Sequence, residues 1–362
     1  MLPGAGKRVA FYAPMKPPHH PVPSGDREIA RNLMALLSAS GADVQLVSDL
    51  RIYDKHGDAA LQAIQRNAAR DEAAQLIRDM PAADLWVTYH NYYKAPDLIG
   101  PAVARARGIP YVQIESTRAK KRLTGPWAGF AEAAHAAADA AAAIFYFTGQ
   151  DRFALERDRC GSQTVAPLPP FLPLEELPAA SSLAGPMLTA GMMRAGDKLA
   201  SYRIIAETLA YLPEDWRLDI AGDGPARSEV EALMAPFGSR VRFLGQLSRE
   251  ELSAAYSNSS LFLWPGVNEA FGMVYLEAQA HGLPIAAQDR PGVRDVLLAR
   301  SYPEPEDGAE ALAAFTAALL ANPALRSRIG REGRDYIARN HLAPAAARRF
   351  WDVAAPLMET QT

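Results

Sequence analysis

Residues 241–287 read VRFLGQLSREELSAAYSNSSLFLWPGVNEAFGMVYLEAQAHGLPIAA. Three short runs of β-branched and bulky apolar residues, VRFLG (241–245), LFLWP (261–265) and PIAA (284–287), read as strands. The segments between them read as helices. FGMVYLEAQAHG keeps its apolar residues on one face and closes with Gly282, a C-cap signal. Strand, helix, strand with crossovers of this length implies a parallel sheet covered on both faces.

The same alternation extends outward in both directions. RVAFYA (8–13), DVQLV (43–47), DLWVTY (84–89), PYVQI (110–114) and AIFYF (143–147) read as strands, with DREIARNLMALLSAS and PDLIGPAVARARG as helices between them. From 165 to 186 the pattern stops, and six prolines in VAPLPPFLPLEELPAASSLAGP disfavour helix and central strand. The alternation restarts at MLTAG (187–191) and WRLDIAG (216–222). With 362 residues the chain is too long for one core and suits two domains with a cleft. The expected division is an N-terminal α/β domain over 1–168, a Pro-rich linker over 169–186, a second α/β domain over 187–342, and a C-terminal amphipathic helix over 343–362 that packs on either domain, the first being the favoured choice.

Composition excludes several classes. Apolar residues at 49% and charged residues at 22% are those of a globular protein. Cys160 is the single cysteine and cannot form an internal disulfide; with no apolar leader before Pro14, the expected setting is reducing and cytoplasmic. No apolar run is long enough to span a bilayer. The local cluster RAKKR (118–122) suits either a solvated loop or contact with phosphates and an anionic membrane surface; no nucleic-acid partner is expected.

In open parallel sheets, ligands sit at the carboxyl ends of strands, where loops lead into helix N-termini. Three such junctions carry candidate chemistry. IAGDGPARSEVEAL (220–233) has a glycine turn followed by Pro225 at an expected first helical position, equally explained as ordinary loop chemistry. GMMRAGDKLASYRII (191–205) sets Arg194 and Lys198 four apart, where they can face one diphosphate or simply be exposed surface cations. NEAFGMVYLEAQAHGLP (268–284) has a helix expected to start near Ala270–Gly272. The amides of Phe271, Gly272 and Met273 are then open to a phosphate. Glu269 precedes that turn, and Glu277 lies about 9 Å further along the helix axis. Two carboxylates so separated suit two parts of one elongated ligand, such as a sugar and a ribose with phosphates between. A dipole-favoured glutamate plus a solvent-facing one is the plainer alternative.

At this point the sequence resembles a known family. EAFGMVYLE has the E-x7-E pattern of retaining nucleotide-sugar glycosyltransferases of family four, in the GT-B structural clan, and IAGDGP, the stretch from 241 to 287, and LRSRIGREGRDYI follow in the family's order over nearly the whole chain. The resemblance implies two facing Rossmann-like parallel-sheet domains with an interdomain cleft, acceptor on the first and nucleotide-sugar donor mainly on the second. It implies that Glu269 meets the transferred sugar, that Glu277 meets the ribose, and that Arg194, Lys198 and the amides of Phe271 and Gly272 hold the diphosphate. Gly25, Gly222, Gly245, Ala270 and Met273 are further substrate-binding positions. His90 in TYHNYYKAP matches the family's histidine near the donor sugar. The chain departs from the pattern at Gly25-Asp26-Arg27, where a second glycine is usual, and at QIEST, where Glu115 stands in place of a second histidine.

The expected activity is therefore metal-independent, retaining transfer of a hexose to a hydroxyl acceptor: a glycan, a lipid or a small molecule, with lipid-linked and phosphorylated acceptors among the alternatives. No cofactor is expected, and the sequence has no D-x-D triplet. A sugar-nucleotide epimerase or sugar synthase of the same fold, or a non-catalytic nucleotide-sugar-binding protein, are the alternatives.

Overall fold

A computed structural model describes residues 2–22, 24–213 and 215–359. The chain divides into two compact units, Met1–Pro169 together with Ala343–Thr362, and Pro170–Leu342.

In the first unit the chain runs β1 (Arg8–Tyr12), α1 (Gly25–Ala39), β2 (Asp43–Ser48), α2 (Ala59–Asp79), β3 (Leu85–Asn91), α3 (Gly100–Arg107), β4 (Tyr111–Ser116), α4 (Ala128–Ala140), β5 (Ala143–Tyr146), α5 (Gly149–Arg157) and β6 (Thr164–Pro167). The six strands pair in parallel in the order β2-β1-β3-β4-β5-β6. The helix ends follow local chemistry. Ser24 caps α1 by accepting from the Arg27 amide at 3.3 Å, Asp58 caps α2, and Gly108 closes α3.

The second unit runs β7 (Met187–Ala190), α6 (Asp197–Tyr211), β8 (Leu218–Ala221), α7 (Arg227–Met234), β9 (Val241–Gly245), α8 (Arg249–Ser257), β10 (Leu261–Leu263), α9 (Met273–Ala280), β11 (Ile285–Ala286), α10 (Gly308–Ala321) and α11 (Pro323–Asn340). Its five parallel strands lie in the order β11-β10-β7-β8-β9. The central strands β7, β8 and β10 are buried at every residue, as a sheet covered on both faces requires. A Ser248–Glu251 capping box starts α8.

Each sheet reverses its winding once, between β1 and β3 in the first unit and between β7 and β10 in the second. At such a point adjacent loops depart to opposite faces and leave a crevice beyond the strand ends.

The structure corrects the sequence reading in four places. β6 occupies the start of the Pro-rich stretch; it is an edge strand, and Pro167 sits at its end, where a missing N–H breaks little of the ladder. β3 and β4 run on to Asn91 and Ser116, which puts His90 and Glu115 inside the last turns of strand. α7 begins at Arg227, so Pro225 lies in the preceding turn. α9 begins at Met273, not within Ala270–Gly272, because Gly272 takes the left-handed conformation (φ 52°) at the N-cap.

The last helix, α12 (Ala343–Glu359), packs in the first unit. Phe350 is fully buried and stacks on Phe145 at 5.1 Å, and the Trp351 indole donates to the Ser40 hydroxyl at 2.6 Å. Among the described residues no single helix is long and apolar enough to cross a membrane. Phe350→Ala removes a buried aromatic ring and is expected to lower unfolding free energy by about 3 to 5 kcal/mol. Denaturant unfolding measures this, and a loss below about 1 kcal/mol would show that α12 is not part of the core.

Candidate functional site

In the second unit the loops after β7 and β10 flank the reversal of the sheet, and they are cross-braced. The Val267 amide donates to the Ser201 hydroxyl at 3.1 Å, and the Asn268 side-chain amide donates to Asp197 at 2.9 Å. The loop after β10 is thus tied to the first turn of α6. Within this frame the Lys198 ammonium forms an ion pair with Glu269. The Trp264 indole N–H also donates to Glu269 Oε1, at 2.8 Å, and the Lys198 Nζ lies 5.3 Å from the centroid of that indole ring. Side-chain exposure is 24% for Lys198 and 12% for Glu269, so the pair is partly shielded from water. Arg194, by contrast, is exposed on the loop between β7 and α6.

Two glycines in this half have backbone reasons to be glycine. Gly222 (φ 137°) sits so close to the β7 loop that a Cβ would lie 2.0 Å from the Gly191 carbonyl oxygen. The Gly222 amide donates to the Gly245 carbonyl at 2.8 Å, which gives Gly245 a supporting position below the loop. At Gly272 a Cβ would lie 2.5 Å from the Tyr275 ring. Tyr275 is fully buried, and its hydroxyl donates to the Trp264 carbonyl at 2.9 Å. The N-terminus of α9 therefore stands fixed against Trp264, the residue that follows β10. The Tyr275 amide donates to the Gly272 carbonyl at 2.8 Å, the Met273 and Val274 amides precede the first acceptor of the helix, and the positive end of the dipole faces the loop of Glu269, exposed Ala270 and half-buried Phe271.

Glu277 is half-buried on α9, not solvent-facing, and accepts a hydrogen bond from the Tyr256 hydroxyl at 3.0 Å. Burial raises its carboxyl above the ordinary range, and the Tyr256 bond pulls the other way. One carboxylate oxygen is thus engaged while the group stays strongly basic as an acceptor.

In the first unit the reversal lies between β1 and β3, and the residues around it form a second constellation. His90 (φ 66°) and Glu115 (φ 60°) are the next-to-last residues of β3 and β4. These left-handed turns are uncommon for residues with side chains and mark a backbone shaped for the site. His90 Nδ1 lies 3.2 Å from Asp26 Oδ1, in the first turn of α1, and 3.8 Å from Glu115 Oε2. Burial depresses the His90 imidazole, but Glu115, then Asp26 and Asp151, outweigh it, and the net shift is upward. The two carboxyls move in opposite directions. Burial raises Glu115 above its usual value, and the His90 contact lowers Asp26 despite burial. Gly25 is the first residue of α1, with open space where a Cβ would stand.

The cluster at 118–122 does not form one basic face. Arg118 is buried against Asp139, Lys120 pairs with Asp158 at 2.7 Å, and Arg122 packs on Tyr93 and Trp127.

Residues 199–336 match the family model for glycosyl transferases group 1. That match spans 138 of the 362 residues and lies within the second unit. A D-inositol 3-phosphate glycosyltransferase of Xylanimonas cellulosilytica is 35% identical over 43% of this chain, and a sulfoquinovosyl transferase of Arabidopsis thaliana is 34% identical over 30% of it. Those alignments span only 37% and 20% of the respective relatives. Solved chains of similar fold match over nearly the whole length. Sucrose-phosphate synthase from Thermosynechococcus elongatus gives a TM-score of 0.69 at 19% identity, covering 98% of this chain and 100% of that one. Anabaena HepE in complex with UDP gives 0.70 at 14% identity, covering 97% and 100%. The fold is GT-B, as expected from the sequence.

Sequence reasoning gave no site role to Asp26, Trp264 or Tyr256. Asp26 was visible as a departure from the glycine pair. Trp264 and Tyr256 act through contacts across the fold, and nothing in their spacing signals a glutamate partner. The electrostatics around His90 are directly testable. Its Cε1 proton is expected to titrate above the ordinary histidine value of 6.5, and Asp26→Asn is expected to lower that midpoint. In stability terms, the raised His90 pKa contributes below the unfolded-state value and is lost as pH rises through the folded value. The lowered Asp26 pKa contributes above the unfolded carboxyl value and is lost as pH falls. The wild-type advantage over Asp26→Asn should therefore peak between about pH 4 and about pH 6.5 and shrink toward alkaline pH. An advantage that grows with rising pH would contradict the pairing.

Proposed function

We propose that the chain is a retaining, metal-independent glycosyltransferase that moves a hexose from a nucleoside diphosphate sugar to a hydroxyl acceptor. The observation that carries the reading is the meeting of Lys198, Glu269 and the N-terminus of α9 at the reversal of the second sheet, with Glu277 one helix turn beyond that N-terminus. The family match over 199–336, which contains both glutamates, and the UDP carried by HepE support it.

In this reading the diphosphate lies against the first amides of α9, with Lys198 and Arg194 as its cations. Lys198 already stands beside Glu269, so a phosphate competes for its ammonium and leaves Glu269 and the Trp264 indole for sugar hydroxyls. Glu277, steadied by Tyr256, accepts from the ribose hydroxyls. As the bond from the anomeric carbon to the phosphate oxygen breaks, negative charge grows on the β-phosphate. Lys198, Arg194 and the helix dipole oppose that growing charge and lower the barrier. The acceptor oxygen bonds to the anomeric carbon on the face the phosphate leaves, and its proton passes to the departing phosphate. No protein nucleophile enters the step, so the glutamates are binding groups and not a glycosidase pair. His90, with Nδ1 held by Asp26, presents its other ring edge to a sugar hydroxyl. The first unit holds the acceptor.

A thermal-shift series with UDP, GDP and ADP sugars is expected to stabilise the protein with at least one of them. Glu277→Ala is expected to weaken nucleotide binding roughly 10- to 100-fold, the cost of a lost hydrogen bond to a charged group. Glu269→Ala is expected to reduce donor turnover more than nucleotide affinity. Wild-type affinity and turnover in both variants would overturn the reading, and conversion of the sugar nucleotide without any acceptor would assign an epimerase instead.

A further inference from the structure

Beside His90 the first unit carries a continuous run of half-buried aromatic rings that the proposed chemistry does not use. Tyr92 packs on His90 at 4.6 Å between centroids, Tyr93 on Tyr92 at 5.5 Å, and Trp127 meets Tyr93 edge to face at 5.8 Å. The Tyr92–Ala95 turn after β3 supplies the first two rings, and the segment leading into α4 supplies the third. The Trp127 indole donates to the Asp54 carbonyl at 3.1 Å, which holds the ring in place.

Two cations converge on this end of the run. The Arg122 guanidinium lies 5.0 Å from the Tyr93 centroid and 5.3 Å from that of Trp127, and the Lys94 ammonium lies 5.6 and 5.7 Å from the same two rings. Among the described residues neither cation has a carboxylate within ion-pair distance, and the Arg122 Nε is buried with no hydrogen-bond partner. Two other members of the basic cluster, Arg118 and Lys120, are paired with aspartates, although Arg118 Nε and Nη2 are also buried without hydrogen-bond partners; Lys121 is exposed. Aromatic quadrupoles hold a cation in position without cancelling its charge. Two like charges brought to one aromatic pair, with a donor left unsatisfied, are costly unless an anion completes the group.

We propose that Tyr93, Trp127, Lys94 and Arg122 form an acceptor subsite for a saccharide bearing a fixed negative charge, a phosphate or a carboxylate. The sugar ring lies along Tyr92 and Tyr93, its anionic group meets Arg122 and Lys94, and a hydroxyl at its other end faces His90. The proposal rests on the reading that the first unit holds the acceptor.

Binding of glucose, glucose 6-phosphate and glucuronate to the full chain, measured by saturation-transfer NMR with titration at millimolar concentrations, tests it. The two charged sugars are expected to bind about tenfold or more tightly than glucose, and Arg122→Gln to remove most of that preference. Preference for the phosphate alone would assign a phosphosugar and preference for both a general anionic sugar; each supports the subsite. Lys94→Gln gives the same comparison if Arg122→Gln does not fold. Glucose binding as tightly as the charged sugars, no binding by any of the three, or an undiminished preference in a folded variant would overturn it. The thermal shift with UDP should be unchanged in both variants, so that failure here and failure of the donor reading are separately visible.

Discussion

An ammonium and a carboxylate drawn partly out of water beside an indole lose hydration on both sides, and three sets of contacts position the Lys198–Glu269 pair and its indole. Lys198 is fixed by the first turn of α6, Glu269 by a loop tied to that turn through Ser201 and Asp197, and Trp264 by the buried Tyr275. Behind all three stands the strand order. Were β10 not hydrogen-bonded to β7, the two loops would emerge at different places along the sheet edge. The order β11-β10-β7-β8-β9 thus precedes the chemistry, and the ion pair registers whether the sheet has assembled correctly.

The first unit solves a related problem with opposite means. There a single imidazole faces two carboxylates that respond differently to one environment. Asp26, at the N-terminus of α1, is pulled toward its charged form by His90, while Glu115 is pushed toward its neutral form by burial. The result is a histidine with one ring nitrogen already occupied and its direction set. Both constellations stand at reversals of parallel sheets, yet one is built around a cation from a helix start and the other around an imidazole from a strand end.

Much of this was legible in the sequence, and the remainder was hidden for physical reasons. The alternation of strand and helix survives in short-range spacing, and so do glycines such as Gly108 that end helices. Pairings across the fold leave no periodic trace. Asp26 and His90 are 64 residues apart, Lys198 and Glu269 71. β6 was obscured because prolines, which argue against central strands, are tolerated at an edge. The start of α9 was misplaced by a few residues because Gly272 is a left-handed cap, a conformation that composition permits but does not announce.

The return of α12 to the first unit makes that unit discontinuous in the chain. During synthesis, β1 to β6 emerge long before Phe350, so the hollow beside Phe145 stays open while residues 170–342 are made. The later segment has no such debt to distant sequence. Its two ends are fastened to each other, the Leu172 amide donating to the His341 carbonyl at 2.7 Å. The first unit thus depends on a helix encoded after the whole of the second, whereas the second is a single continuous stretch of chain.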